Sequence, residues 1–144
     1  MRVILALLIG ATAAGSAAAA FGASPPAPPP RFVLNQARGI IARAHSTQPV
    51  KKAWFVQTRR QDANEILSGA GVNSNQRVYV IVIQGAFTVV RPGPTATGSM
   101  RVSVIDSVID AHTGRETDDG FGRSIPDLAR LGTVRSLLPY LRHR

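Results

Sequence analysis

Residues 77–90 read RVYVIVIQGAFTVV and decide the fold. β-Branched residues follow one another here almost without a polar break, which is typical of a central strand that is buried on both faces. Gly85 interrupts the apolar run and predicts a β-bulge or a bend in the strand. The segment therefore predicts a sheet with this strand at its centre.

A second strand follows after a connection rich in proline and glycine. Residues 99–109 read SMRVSVIDSVI, and residues 91–98 between the two strands read RPGPTATG. Adjacent apolar strands that are joined in this way favour antiparallel pairing. The apolar alternation changes phase near Ile105 and Asp106, which predicts a second bulge. Because Asp106 interrupts an apolar strand, we expect its carboxylate either to face solvent or to pair with an arginine.

The largest amphipathic element precedes these strands. Apolar residues at helical spacing predict a helix from Phe32 to His45. We expect this helix to cover the sheet, with five valines buried together beneath it: Val78, Val80, Val82, Val102 and Val104. A short strand from Ala53 to Thr58 and a short helix from Arg59 to Leu67 are also predicted. Near the end of the chain we expect a helical turn from Pro126 to Leu131 and a docked apolar segment from Leu137 to Leu141.

The turn after the second long strand carries a resemblance to a known family. Tyr79 and Gly85 in one strand, followed by the run DAHTGRE at residues 110–116, resemble the PepSY domain family. In such domains a helix packs on a small antiparallel sheet, and one strand closes with a D-A-x-T-G turn. The resemblance implies an α+β fold of the PepSY or cystatin type, and a role in the envelope or in inhibiting secreted peptidases. The chain also resembles small secreted proteins of GC-rich actinobacteria around Trp54 and in its PDLARLG segment.

The first residues have the layout of a secretory signal peptide. Arg2 precedes an apolar stretch, and small residues follow up to Ala20, where cleavage is expected. The alternative is an uncleaved membrane anchor, because residues 3–21 carry no charge. Five prolines in residues 24–30 predict an extended spacer. We therefore expect a signal peptide at 1–20, a proline-rich linker at 21–30 and a single α+β domain at 31–144, secreted or retained in the envelope.

The chain is strongly basic, with 17 Lys and Arg against 8 Asp and Glu and a formal net charge of +9. On a secreted protein, positive charge favours anionic envelope polymers or anionic lipid headgroups as ligands. Lys51, Lys52, Arg59 and Arg60 flank one short strand and are predicted to form an anion-binding patch. Nucleic acid is not expected as a partner, because no aromatic and basic recognition motif is present. Membrane contact is expected only through an uncleaved N-terminus.

The sequence predicts no catalytic centre, metal site or cofactor. There is no cysteine, and His45, His112 and His143 lack the spacing of a metal motif. Acidic residues do gather around one turn, where calcium would find oxygen ligands. However, their spacing does not match a calcium loop, and we expect Asp110 to bind backbone amides of its own turn while Gly114 adopts a positive φ.

These patterns favour a non-enzymatic secreted domain that binds or inhibits a partner in the envelope or outside the cell. The partner is an unidentified protein or an anionic envelope polymer. The alternative is a small hydrolase whose site is assembled only in space. A cleft in which His45 or His112 meets a carboxylate and a serine within hydrogen-bond reach would favour the hydrolase.

Overall fold

The structure is a computed structural model, and it describes residues 27–46, 48–90 and 98–142. The helices are α1 (Arg31–Arg43), α2 (Arg60–Ser68) and α3 (Leu138–Leu141). The strands are β1 (Lys52–Arg59), β2 (Arg77–Val90), β3 (Ser99–Asp110), β4 (Glu116–Gly122) and β5 (Arg135–Ser136), and a 3-10 turn spans Leu128–Leu131. The α+β class is therefore confirmed. The predicted signal peptide and most of the predicted linker lie outside the described residues.

The five strands form one antiparallel sheet in the order β4-β3-β2-β1-β5. The predicted pairing of the two long strands is confirmed, since Tyr79 lies opposite Ile109 and Val89 lies opposite Met100. Strands β1, β2 and β3 each pair with the next strand along the chain, as short connections favour. The central strand β2 has the predicted bounds and is buried on both faces over much of its length.

Helices cover both faces of the sheet and create two separate apolar clusters. Alternate residues of β1 and β2 enter opposite clusters, because side chains of a strand alternate between its faces. The cluster beneath α1 contains thirteen buried residues, among them Val33, Ala37, Ile40, Phe55, Ile81, Ile83, Ile109 and Leu137. The cluster beneath α2 and the 3-10 turn contains nine, among them Val56, Ala63, Val78, Val80, Val82, Val108, Leu128 and Leu131.

The prediction that α1 covers all five valines is wrong, although all five are buried. Four of them pack beneath α2, and only Val102 packs beneath α1. The cause is the β2 bulge, which is confirmed: Gln84 pairs with Val104 and Phe87 pairs with Val102, so two residues of β2 stand opposite Ser103 alone. A bulge increases the local twist, so β3 residues on either side of it reach different clusters.

The second predicted bulge lies elsewhere. Pairing of β3 with β2 is regular at Ile105 and Asp106, whereas the irregularity falls between β3 and β4 at Thr117. Strand β4 was not predicted, because its sequence ETDDGFG is acidic and contains glycine. Of the two expectations for Asp106, pairing with an arginine is wrong and exposure to solvent is only partial. Its side chain is half-buried opposite Gly120, and no arginine of the described residues pairs with it.

The segment after β4 returns to the far edge of the sheet. β5 pairs with β1 at Trp54 and Phe55, and the predicted docking of the apolar segment is confirmed by Leu137, which is fully buried. The N–H of Leu137 donates to the carbonyl of Ala53 at 2.8 Å. Within the described ranges, no helix has the length and apolar character needed to cross a membrane.

Candidate functional site

The four basic residues of the predicted anion patch are divided between the two ends of β1. Lys51 and Lys52 lie at its start and Arg59 and Arg60 at its end, about 23 Å away at roughly 3.3 Å per residue. Arg60 is half-buried and donates two hydrogen bonds, of 3.1 and 3.4 Å, to Asp118. The structure thus forms two basic pairs, one of which is partly neutralised, and anion binding by these residues stays a prediction.

A larger basic surface lies at the Lys51 end of β1, around the bulge in β2. It is a cleft of about 670 Å³ lined by Lys51, by Arg101 and Ser103 of β3, and by Arg123 just after β4. The residues of the bulge also line it. We refer to this surface, with its three cations Lys51, Arg101 and Arg123, as the basic cleft.

The packing at the bulge requires glycine at position 85. Phe87 is only 2% exposed, and its ring folds back over Gly85. A Cβ atom at position 85 would lie 2.7 Å from Cζ of that ring, which is closer than any real contact. The bulge takes backbone groups out of the strand ladder, and the carbonyl of Ala86 accepts a hydrogen bond from the Ser46 hydroxyl at 3.1 Å instead. The wall of the cleft is therefore built into the central strand.

The register of β3 places its polar residues on the side of the cleft. Arg101 and Ser103 alternate with Met100 and Val102, and the latter two pack into the cluster beneath α1. Because successive side chains of a strand point to opposite faces, Arg101, between Met100 and Val102, is directed away from α1. Ser103 stands opposite the bulge, where this alternation is interrupted. The basic cleft therefore has Arg101 on the face opposite that helix, although Phe87 and Val102 of the cluster beneath α1 line it as well.

Positive charge in the basic cleft is not balanced by nearby acids. Lys51, Arg101 and Arg123 are all exposed, and none has a carboxylate oxygen of the described residues within 4.0 Å. No aspartate or glutamate lines the cleft. Unpaired cations around a concave surface raise the local concentration of anions. Guanidinium groups bind carboxylate or phosphate oxygens with two parallel hydrogen bonds, and ammonium groups add a point charge.

The acidic turn after β3 has a structural role that the sequence predicted. Oδ1 of Asp110 accepts hydrogen bonds from the backbone N–H groups of His112 at 2.6 Å and Thr113 at 2.9 Å. These bonds hold the pKa of Asp110 below its ordinary value. Gly114 has a φ of 69°, as expected. The expected role of this aspartate and the expected conformation of this glycine are confirmed.

The two described histidines lie in separate elements. His45 follows the end of α1, and His112 lies in the turn between β3 and β4. Neither side chain is hydrogen-bonded to a serine or a carboxylate in the described part of the chain. The described ranges also contain no group of three or more histidine, aspartate or glutamate residues arranged to hold a metal ion. His143 lies outside them.

Sequence reasoning missed the basic cleft because its cations are far apart in the chain. Lys51, Arg101 and Arg123 converge only through the register of three strands, and two of them were not singled out. Gly85 was the one feature of the sequence that indicated this region, because it predicts the bulge around which the three cations lie.

The chain was compared with protein-family models, with curated proteins and with solved structures, and no match was found in any of the three. The resemblance to PepSY domains therefore remains a prediction.

Proposed function

We propose that this protein is a non-enzymatic binding domain that acts in the cell envelope or outside the cell, and that its ligand is an anionic polymer. The observation that carries the proposal is the basic cleft, where three exposed cations surround the β2 bulge without an acidic neighbour. Phosphate or carboxylate groups repeated along a polymer would engage these cations together.

The composition of the cleft supports binding rather than hydrolysis. The side chains of Ser103, Thr88 and Lys51 are the nucleophilic groups among the residues that line the cleft, and no histidine or carboxylate lines it to act as a base. The lining offers hydrogen-bond donors and positive charge, which suit recognition of an anion. The layout of residues 1–20 supports a location beyond the cytoplasmic membrane.

The proposal is tested by measuring binding of the purified chain to labelled polyphosphate and polyglutamate, with neutral dextran as the uncharged control. Vesicles with and without anionic phosphatidylglycerol distinguish a polymer from a lipid headgroup. We expect both anionic polymers to bind and dextran not to bind. Binding should weaken as salt is raised, because the contacts are ionic.

Matched charge reversals decide whether the basic cleft is the site. Arg101→Glu with Arg123→Glu removes two cations of the cleft, whereas Arg59→Glu with Arg77→Glu removes two exposed arginines at the other end of β1 and β2. Both double variants change the net charge equally. We expect the cleft variant to bind at least about tenfold more weakly and the control to change by less than about twofold. Equal losses would contradict a defined site, and a larger loss in the control would favour the patch near Arg59.

A further inference from the structure

A groove separates α1 from the edge strand β4, on the face of the sheet that α1 covers. Ile40 and Arg43 of α1 and Ala44 just after it line one side of the groove. Glu116, Asp119 and Phe121 of β4 line the other side. Its volume is about 270 Å³. We refer to it as the α1–β4 groove.

The register of β4 directs three of its side chains into this groove. Phe121 lies opposite Ile105, Asp119 opposite Ser107 and Glu116 opposite Ile109. Ile105 and Ile109 belong to the cluster beneath α1, and Ser107 is hydrogen-bonded to Gln36 of that helix at 3.4 Å. Paired residues of adjacent strands share a face, so the β4 side chains lie on the α1 face as well.

The outer edge of β4 is available for pairing. β4 lies at the end of the strand order and pairs with β3 alone. None of its backbone groups forms a hydrogen bond to any other part of the described chain. Every second residue of such a strand directs its N–H and C=O away from the sheet, where an extended segment can bind them. The groove beside this edge would receive alternate side chains of that segment.

The groove combines apolar and acidic recognition. Val90 and Phe121 are 73% and 37% exposed, and both line it. Three of the eight acidic residues of the chain fall within the seven residues of β4, which carries no lysine or arginine. Glu116 lies 4.0 Å from Arg43, and Asp118 is bound by Arg60 on the other face, but Asp119 has no basic partner among the described residues.

These observations indicate which kind of ligand the α1–β4 groove binds. Antiparallel pairing of two copies through β4 would bring one acidic strand against another, and like charges opposite each other destabilise a strand pair. A basic strand avoids that repulsion and complements Asp119. We propose that the α1–β4 groove binds an extended peptide that adds a sixth strand to the sheet beside β4. Every second residue of this peptide faces the groove, and basic and apolar residues alternate among these groove-facing positions, basic beside Asp119 and apolar beside Phe121.

Binding of the full chain to a short labelled peptide tests the proposal by fluorescence anisotropy. In this peptide every second residue is threonine, and the residues between the threonines are lysine and valine in turn, so that lysine and valine share one face of the strand. We expect this peptide to bind and a counterpart with glutamate in place of each lysine not to bind. Methylating every second backbone nitrogen on the pairing edge keeps the charge of the peptide but removes its donors, and should abolish binding. Equal binding of the methylated peptide would show charge attraction alone and overturn the proposal.

A matched pair of variants locates the site. Asp119→Lys should weaken binding of the basic peptide about tenfold, because it replaces an attraction by a repulsion. Glu65→Lys makes the same change of charge on α2, across the sheet, and should leave binding within about twofold. Equal effects of the two variants would overturn the proposal. Absence of binding would also overturn it, and the acids of β4 would then serve only to prevent aggregation through the strand edge. Dimerisation of the chain alone through β4, measured by sedimentation, would overturn it as well.

Discussion

Asp106 provides a measurable link between the fold and pH. Its carboxylate lies on the α2 face of β3, opposite Val82 on one side and Gly120 on the other. It has no hydrogen bond and no ion pair within the described residues. Burial, and to a smaller extent the negative charge of Asp119, raises the pKa of Asp106 from 3.8 to about 6.

This raised pKa means that folding favours the protonated form of Asp106. The stability that its protonated form provides is fully present below pH 3.8 and is lost as the pH rises through about 6. The difference between the two pKa values corresponds to at most about 3 kcal/mol, at about 1.36 kcal/mol for each pH unit. The actual value will be lower, because the side chain keeps some contact with water.

Asp106→Asn removes the charge at nearly constant shape and should therefore stabilise the protein above pH 6. Urea unfolding of both proteins from about pH 3.5 to about pH 8 measures the difference in unfolding free energy. We expect the two free energies to be similar at the acid end and the variant to gain up to about 3 kcal/mol at the alkaline end. The exposed Asp127→Asn controls for loss of one surface charge. A difference between Asp106→Asn and the parent that stays constant with pH, or a variant less stable at about pH 8, would refute the reasoning.

Three further substitutions test the packing by thermal unfolding followed by circular dichroism. Val80→Asp places a carboxylate at a fully buried position, which costs several kcal/mol against a total free energy of unfolding of about 5–15 kcal/mol. No cooperative transition is therefore expected, and a transition within a few degrees of the parent would contradict the burial of Val80. Gly120→Ala brings a Cβ to 2.7 Å from Oδ2 of Asp106 and should destabilise the protein by about 1 kcal/mol. When Asp106 is also replaced by alanine this loss of stability should disappear, and a loss that persists would contradict the contact. Leu137→Ala should cost about 2–5 kcal/mol, and a cost below about 1 kcal/mol would show that the segment does not complete the core.

The central strands could be predicted from sequence because their preferences and their environment agree. The β-branched run of β2 is buried on both faces, and its bounds and bulge followed from local sequence. Continuous apolar character requires cover on both faces. Which helix supplies the cover on each face could not be predicted, since α2 has only nine residues and few apolar positions.

Strand β4 could not be predicted because its own residues do not favour a strand. ETDDGFG has low strand propensity, yet the exposed edge of β3 offers backbone groups that this segment satisfies. The same limit applies to the candidate sites. The basic cleft depends on a bulge that brings Arg101 near Lys51, and the α1–β4 groove depends on an unpredicted strand. Long-range register creates both surfaces.

The pairing of β5 with β1 sets the order in which the fold can be completed. β1 to β4 pair successively, so each of these pairings closes over a short stretch of chain. β5 instead joins Arg135 to Phe55, about 80 residues away, and must close a long loop. The core beneath α1 therefore stays open beside Phe55 until residues 135–141 have docked, and a chain that lacks them has an unpaired edge at β1.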